Sequence, residues 1–201
     1  MKPKLIILEG ADCVGKTTLA NSIVEKYGAK YIHNTYYKGM DVKKEHIGSL
    51  LKACKLIDEG HSVVIDRFWI TEQVYSSVYR DGPEYQEAIP LIELTLAIYS
   101  AKTILCIPSN TQYVISLHKK LQEEREEMYS DISKVVSLYE DLWYGRENEY
   151  LIEGTSIDYY TKLGGFSEFS SYVKYDVLSD GLNIDLFLEK IYGGVNDEIE
   201  Y

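Results

Sequence analysis

Gly10, Gly15, Lys16 and Thr17 stand in the order G-x-x-x-x-G-K-T. Two glycines at that spacing let backbone N–H groups close around phosphate oxygens, where a Cβ would block the approach. Lys16 then offers a point charge to the β/γ-phosphates, and the Thr17 hydroxyl offers a ligand to Mg²⁺. Residues 10–18 (Gly10, Ala11, Asp12, Cys13, Val14, Gly15, Lys16, Thr17 and Thr18) form one phosphate-binding loop, and the nucleotide expected on it is ATP with Mg²⁺. Cys13 is either a thiol whose pKa the nearby N–H groups lower or a small residue that the loop tolerates.

A second constellation is Asp66-Arg67-Phe68, directly after Val63-Val64-Ile65. A carboxylate and a guanidinium at a strand end can address a metal or sugar hydroxyl on one side and a phosphate on the other. A structural ion pair capping the next helix has the same letters.

For these groups to meet, the strands that carry them must end on one edge of a sheet. Apolar runs predict strands at 4–9, 29–33, 62–66, 102–107 and 172–177. Helical periodicity predicts helices at 16–27, 42–59, 71–79, 85–99, 111–128, 131–144 and 186–192. Pro90 means that the fourth of these is kinked or starts near residue 90. Residues 145–171 have weak periodicity, contain Gly164-Gly165, and read as an irregular insertion or a mobile excursion. The alternation of strand and helix points to an α/β fold with a parallel sheet.

The chain has 201 residues, 45% of them hydrophobic and 26% charged, as expected of one soluble globular domain. A net charge of −11 argues against a long nucleic-acid footprint. Three scattered cysteines give neither zinc-site nor disulfide spacing. No signal peptide or membrane-length apolar run appears, so the expected location is the cytoplasm. Nineteen tyrosines can serve a nucleoside pocket by stacking, or simply fill core and surface.

Glu9-Gly10-Ala11-Asp12-Cys13-Val14-Gly15-Lys16-Thr17-Thr18 resembles the loop of thymidylate kinases, where E-G-x-D-x-x-G-K-T-T is typical. Asp66-Arg67-Phe68-x-x-Thr71-x-x-Val74-Tyr75 resembles that family's D-R-Y-x-x-S-x-x-A-Y segment, and Glu72 fits the D-R-x-x-x-S-E-x-V-Y form of some phage-encoded relatives. The resemblance implies a three-layer P-loop kinase fold: one domain over 1–201, a five-stranded parallel sheet with helices on both faces, and a lid at about 115–130.

It also implies roles. Lys16, Arg67, Asp12, Glu9 and Asp66 would form the catalytic set, with Thr17 and Asp66 at the metal. Asp12 would touch the acceptor sugar, Arg67 its phosphate, and Tyr75 would pack beside the sugar, with Phe68 and Thr71 completing the acceptor pocket. Glu9 matches a general-base position of deoxynucleoside kinases. A nucleoside hydroxyl needs such a base, whereas a monophosphate is already an anion. Lys119, Lys120 and Arg125 match the place of a basic lid, although their spacing with glutamates also describes a solvated helix face. Residues 179–182 would seat the adenine.

One segment departs from the family. Where thymidylate kinases carry an R-E-P-G loop, this chain has His33-Asn34-Thr35-Tyr36-Tyr37-Lys38. The E-P and tryptophan of deoxynucleoside kinases are missing as well. His33 is either a strand-end structural histidine or a ligand contact, and Lys38 either replaces the arginine or is solvated. The expected activity is Mg-ATP-dependent phosphoryl transfer to a deoxynucleoside monophosphate of thymidylate type, dTMP or a 5-substituted dUMP. The alternatives are a deoxynucleoside kinase using Glu9, a kinase of hydroxymethyl-pyrimidine in phage DNA, and a nucleotide-binding protein without catalysis. A homodimer packed through helices is implied, with no membrane partner, and host cytoplasm as the location if the gene is phage-borne.

Overall fold

The computed structural model describes residues 4–80, 82–124 and 132–193. All six residues of Leu5–Gly10 (β1) are buried, and a strand hidden on both faces belongs inside a helix-covered sheet. Lys30–His33 (β2), Val63–Asp66 (β3), Lys102–Cys106 (β4) and Tyr172–Tyr175 (β5) complete that sheet. It has five strands in the order β2-β3-β1-β4-β5, and every pairing is parallel. The expected α/β architecture is therefore observed.

Lys16–Tyr27 (α1) carries the chain from β1 out to the β2 edge, and Val42–Asp58 (α2) brings it back to β3. These crossovers run in opposite directions, so right-handedness puts them on opposite faces of the sheet. Asp41 starts α2 by accepting the Lys44 N–H at 2.9 Å. Trp69–Tyr79 (α3) and Ile89–Ile98 (α4) lie between β3 and β4. Pro90 sits in the first turn of α4, where its missing N–H costs nothing, and Gln86–Ala88 forms a short 3-10 turn before it. The expected long helix from 85 thus begins at Ile89 without a kink.

Thr111–Glu124 (α5) follows β4, and the rest of the expected 111–128 helix lies outside the described residues. Ser133–Tyr144 (α6), Ser156–Lys162 (α7) and, after β5, Ile184–Gly193 (α8) finish the chain. α8 returns to α1, where Tyr27 and Tyr192 stack with centroids 3.8 Å apart.

Residues 145–171, expected to be irregular, hold regular elements. They contain α7 and a 3-10 turn at Phe166–Glu168, joined to the core through aromatic rings. Tyr160 lies 4.8 Å from Phe166, and Phe166 lies 4.6 Å from Tyr172 of β5. Trp69 of α3 stands edge-on to Phe166 at 6.4 Å. Gly165 (φ +83°) passes so close to Gly145 that a Cβ there would meet the Gly145 nitrogen at 2.3 Å. The segment packs through these rings, through backbone contact and through Ile157 of the short α7, too short a helix for periodicity to reveal. Among the described residues, no helix is long and apolar enough to cross a membrane.

Candidate active site

The loop after β1 turns at the carboxyl edge of the sheet, where parallel α/β folds bind ligands. Gly15 (φ +84°) leads directly into α1, and a Cβ on it would lie 2.7 Å from Val177 Cγ2. Only glycine fits that backbone and that gap. Lys16 is buried, and its Nζ donates to the carbonyls of Gly10 (3.0 Å) and Ala11. Burial, followed by the Arg67 charge, lowers its pKa from the usual lysine range, against the pull of Asp12 and Asp66.

β1 and β3 are neighbours, with Leu8 opposite Asp66, so Arg67 comes beside the loop. Arg67 takes a left-handed backbone (φ +68°), a strained conformation for a side chain of its size. Its N–H donates to Leu8 O (2.8 Å), and Asn34 Nδ2 donates to its carbonyl (2.6 Å). Asn34 is itself held by the Ser49 hydroxyl at 2.6 Å. The Arg67 guanidinium pairs with Asp12 and lies 5.5 Å from the Tyr75 ring centre. The Tyr75 hydroxyl donates to Asp12 Oδ2 and accepts the Asp12 N–H, both at 3.1 Å. Burial would raise the Asp12 pKa, but the Arg67 and Lys16 charges prevail and hold it below the usual carboxylate range. Asp12, Arg67 and Tyr75, separated by up to 63 residues, thus form one cluster.

Asp66 Oδ2 receives hydrogen bonds from Tyr31 OH (2.9 Å) and Thr17 Oγ1 (3.4 Å), and His33 Nδ1 stands 3.2 Å away. Asp66 is fully buried and its Oδ1 has no partner among the described residues. Burial works against ionisation, yet His33, Lys16 and Tyr31 together lower its pKa. A hard oxygen beside the Thr17 hydroxyl, with a lone pair unused, suits Mg²⁺, which takes few protein ligands and fills its shell with water and phosphate oxygens. Among the described residues, no group of three or more His, Cys, Asp or Glu side chains is placed to hold a metal. The fitting set is therefore the Thr17–Asp66 pair.

Glu9 does not join this cluster. Its Oε1 accepts the Ile70 N–H (3.1 Å), and its Oε2 accepts the Thr71 N–H (3.0 Å) and hydroxyl (2.5 Å). It caps α3 from another strand, which is why α3 begins at Trp69, two residues earlier than the local pattern predicts. Burial is the leading influence on its carboxyl and pushes the pKa up to about 7, against these hydrogen bonds. Phe68 is also fully buried, its ring 5.6 Å from that of His46.

Two cavities open along the sheet edge. One, of about 450 Å³, follows the phosphate loop and includes Cys13, Lys16 and Thr18 together with Tyr113, Leu117, Val177 and Leu178. The other, of about 670 Å³, lies between the segment after β2 and α3, with Tyr36, Lys38, His46, Thr71, Glu72 and Tyr75 in its walls. Asp12, Thr17, His33 and Arg67 line both. Glu9 and Phe68 line neither.

Of the expected lid residues, two are described. Lys119 and Lys120 are exposed and line neither cavity, and Arg125 lies outside the described residues. The same helix instead presents Tyr113 and Leu117, which sequence reasoning missed. Their four-residue spacing was a usable signal of one helix face. The cavity touches Val177 and Leu178, immediately before the expected adenine turn at 179–182. Asp176 folds this turn by accepting the Leu178 N–H (3.0 Å) and the Ser179 hydroxyl (3.2 Å).

No protein-family model and no curated protein sequence matches the chain. Solved structures do. The fold is similar to that of YorR from Bacillus subtilis, solved in complex with phosphorylated GDP. The TM-score is 0.56 at 20% identity, over 93% of this chain and 96% of that one. It is also similar to deoxyadenosine kinase from M. mycoides with bound dATP (TM-score 0.52, 16% identity, 95% and 99% covered). The same enzyme with the products dCMP and dCDP gives a TM-score of 0.51 at 14% identity, over 94% and 99%. At these identities the likeness establishes the fold, which the chain shares with these proteins.

Proposed function

We propose that the chain, acting as one kinase domain, transfers the γ-phosphoryl of Mg-ATP to a deoxynucleoside monophosphate of thymidylate type. The observation that carries this reading is the meeting of two cavities at a shared wall of Asp12, Thr17, His33 and Arg67. One cavity contains the phosphate loop. The other, at about 670 Å³, has the size of a nucleotide site.

Phosphoryl transfer leaves a protein little covalent chemistry to do, so positioning and charge supply the catalysis. The loop N–H groups hold the donor phosphates. Lys16 exchanges the Gly10 and Ala11 carbonyls for phosphate oxygens, and its burial strengthens that charge at the site. Arg67, aimed by Asp12 and fixed in backbone by Asn34, presents its planar fork to the acceptor phosphate. Thr17 and Asp66 would hold Mg²⁺, which supplies charge neutralisation at the donor phosphates. A monophosphate acceptor needs no general base. This accords with Glu9, which could act on a nucleoside hydroxyl only by giving up its three hydrogen bonds to α3.

The test is ADP release measured against every common nucleoside and nucleoside monophosphate, 5-substituted pyrimidines included. The expected result is turnover with thymidylate-type monophosphates, and activity confined to nucleosides would overturn the reading. Lys16→Ala should lower turnover by about 10²–10³-fold while circular dichroism stays native. Near-native turnover in that variant would remove the loop from the mechanism.

A further inference from the structure

Three of the four residues shared by the cavities (Asp12, Thr17 and Arg67) already have phosphate, metal or sugar chemistry in the mechanism above. The fourth is His33. We propose that His33 belongs to the transfer site itself and that its Nε2 hydrogen-bonds the reacting phosphate of the acceptor, an inference that rests on the kinase reading.

The register of the sheet argues for it. His33 is the last residue of β2 and pairs with Asp66, the last residue of β3, at the carboxyl edge. Its Nδ1 lies 3.2 Å from Asp66 Oδ2 and 3.2 Å from Tyr31 OH. One ring nitrogen is thus held against the sheet edge. The other, Nε2, has no partner among the described residues, and the side chain is 38% exposed while lining both cavities. A ring fixed through Nδ1 leaves its Nε2 side available to whatever fills the space between Thr17 and Arg67. Either form of that nitrogen pairs with phosphate, as an N–H donor to an anionic oxygen or as the acceptor of a phosphate O–H.

Beside Arg67, the remaining cations of the acceptor cavity stand away from the shared wall. Lys38 and Arg80 line only the acceptor cavity, and Arg80 is paired with Glu72 at 2.6 Å. Of residues 33–38, which include no arginine, His33 is the one that lines both cavities.

Two substitutions separate a role at the phosphate from a role in merely holding Asp66. Asparagine carries an amide nitrogen near the place of Nδ1, and glutamine carries one near the place of Nε2. His33→Asn therefore keeps the Asp66 contact and loses the cavity-facing nitrogen, whereas His33→Gln does the reverse. For the monophosphate acceptor, kcat/KM should fall at least about tenfold in His33→Asn and recover in part in His33→Gln. The KM for ATP should stay within about twofold of wild type in His33→Asn, which keeps the Asp66 contact. If His33→Asn matches wild type, or His33→Gln falls below His33→Asn, the ring serves Asp66 alone and the proposal is overturned. Calorimetric titration of dTMP without ATP gives a second readout. Should wild type bind dTMP but transfer nothing, the function falls while weaker binding by His33→Asn than by His33→Gln still upholds the contact. Should wild type bind no monophosphate, both fall.

Discussion

Glu9 links folding to proton uptake. Its carboxyl is pushed from an ordinary 4.5 up to about 7, chiefly by burial, so the folded chain keeps a proton that the unfolded chain releases. The stability this contributes is complete below about pH 4.5 and is lost as pH rises through about 7, a span worth about 3 kcal/mol. Asp12 and Asp66, with lowered pKa values, act in the opposite sense and lose stability as pH falls. Glu9→Gln isolates the first effect, because glutamine does not titrate and the aspartates are common to both proteins. Urea denaturation at pH 5, 6.5 and 8 should show wild type losing stability relative to the variant as pH rises. A constant difference would mean that this carboxyl does not titrate on folding. The strained Arg67 illustrates another residue-scale cost, since its left-handed backbone persists only because Leu8 and Asn34 hold both sides of it.

Elements meet here through contacts that no single element announces. α3 receives its N-terminal cap from β1, and α7 is fastened by Phe166, Tyr172 and Trp69, which come from a 3-10 turn, a strand and another helix. The Tyr160 hydroxyl adds a hydrogen bond to Glu93 of α4 at 2.5 Å. Residues 145–171 are therefore part of the core that supports α3, and α3 carries Thr71 and Tyr75 into the wall of the larger cavity. Phe166 is fully buried, so Phe166→Ala should cost about 3–5 kcal/mol of unfolding free energy. Thermal or urea unfolding measures it. A loss below about 1 kcal/mol would identify the segment as an appendage after all.

At the scale of the molecule, the chain carries a net charge of −11, so for the proposed phosphate chemistry the cations that matter must be local. Arg67 and Lys16 are both largely enclosed, where their fields are least screened. Duplex DNA should not bind measurably at about 150 mM salt, and a steep salt dependence of binding would revive the DNA-base kinase alternative. Fluorescence anisotropy across a salt series decides this. The five strands, their parallel sense and the phosphate loop were legible in the sequence, because buried strands, helix caps and G-x-x-x-x-G-K-T are patterns among near neighbours in the chain. So was the list of Asp12, Asp66, Arg67, Thr71 and Tyr75 as candidates, through their resemblance to a family. What those residues face was not legible. Glu9 turns to cap α3 while Asp12, three residues on, meets Arg67, and spacing alone cannot tell the two carboxylates apart. His33 reaches the site because β2 pairs with β3 in a register that sets it opposite Asp66. Tyr113 and Leu117 reach it because α5 lies across the same edge. Those meetings join residues tens of positions apart, and only the packing of the sheet and its helices brings them together.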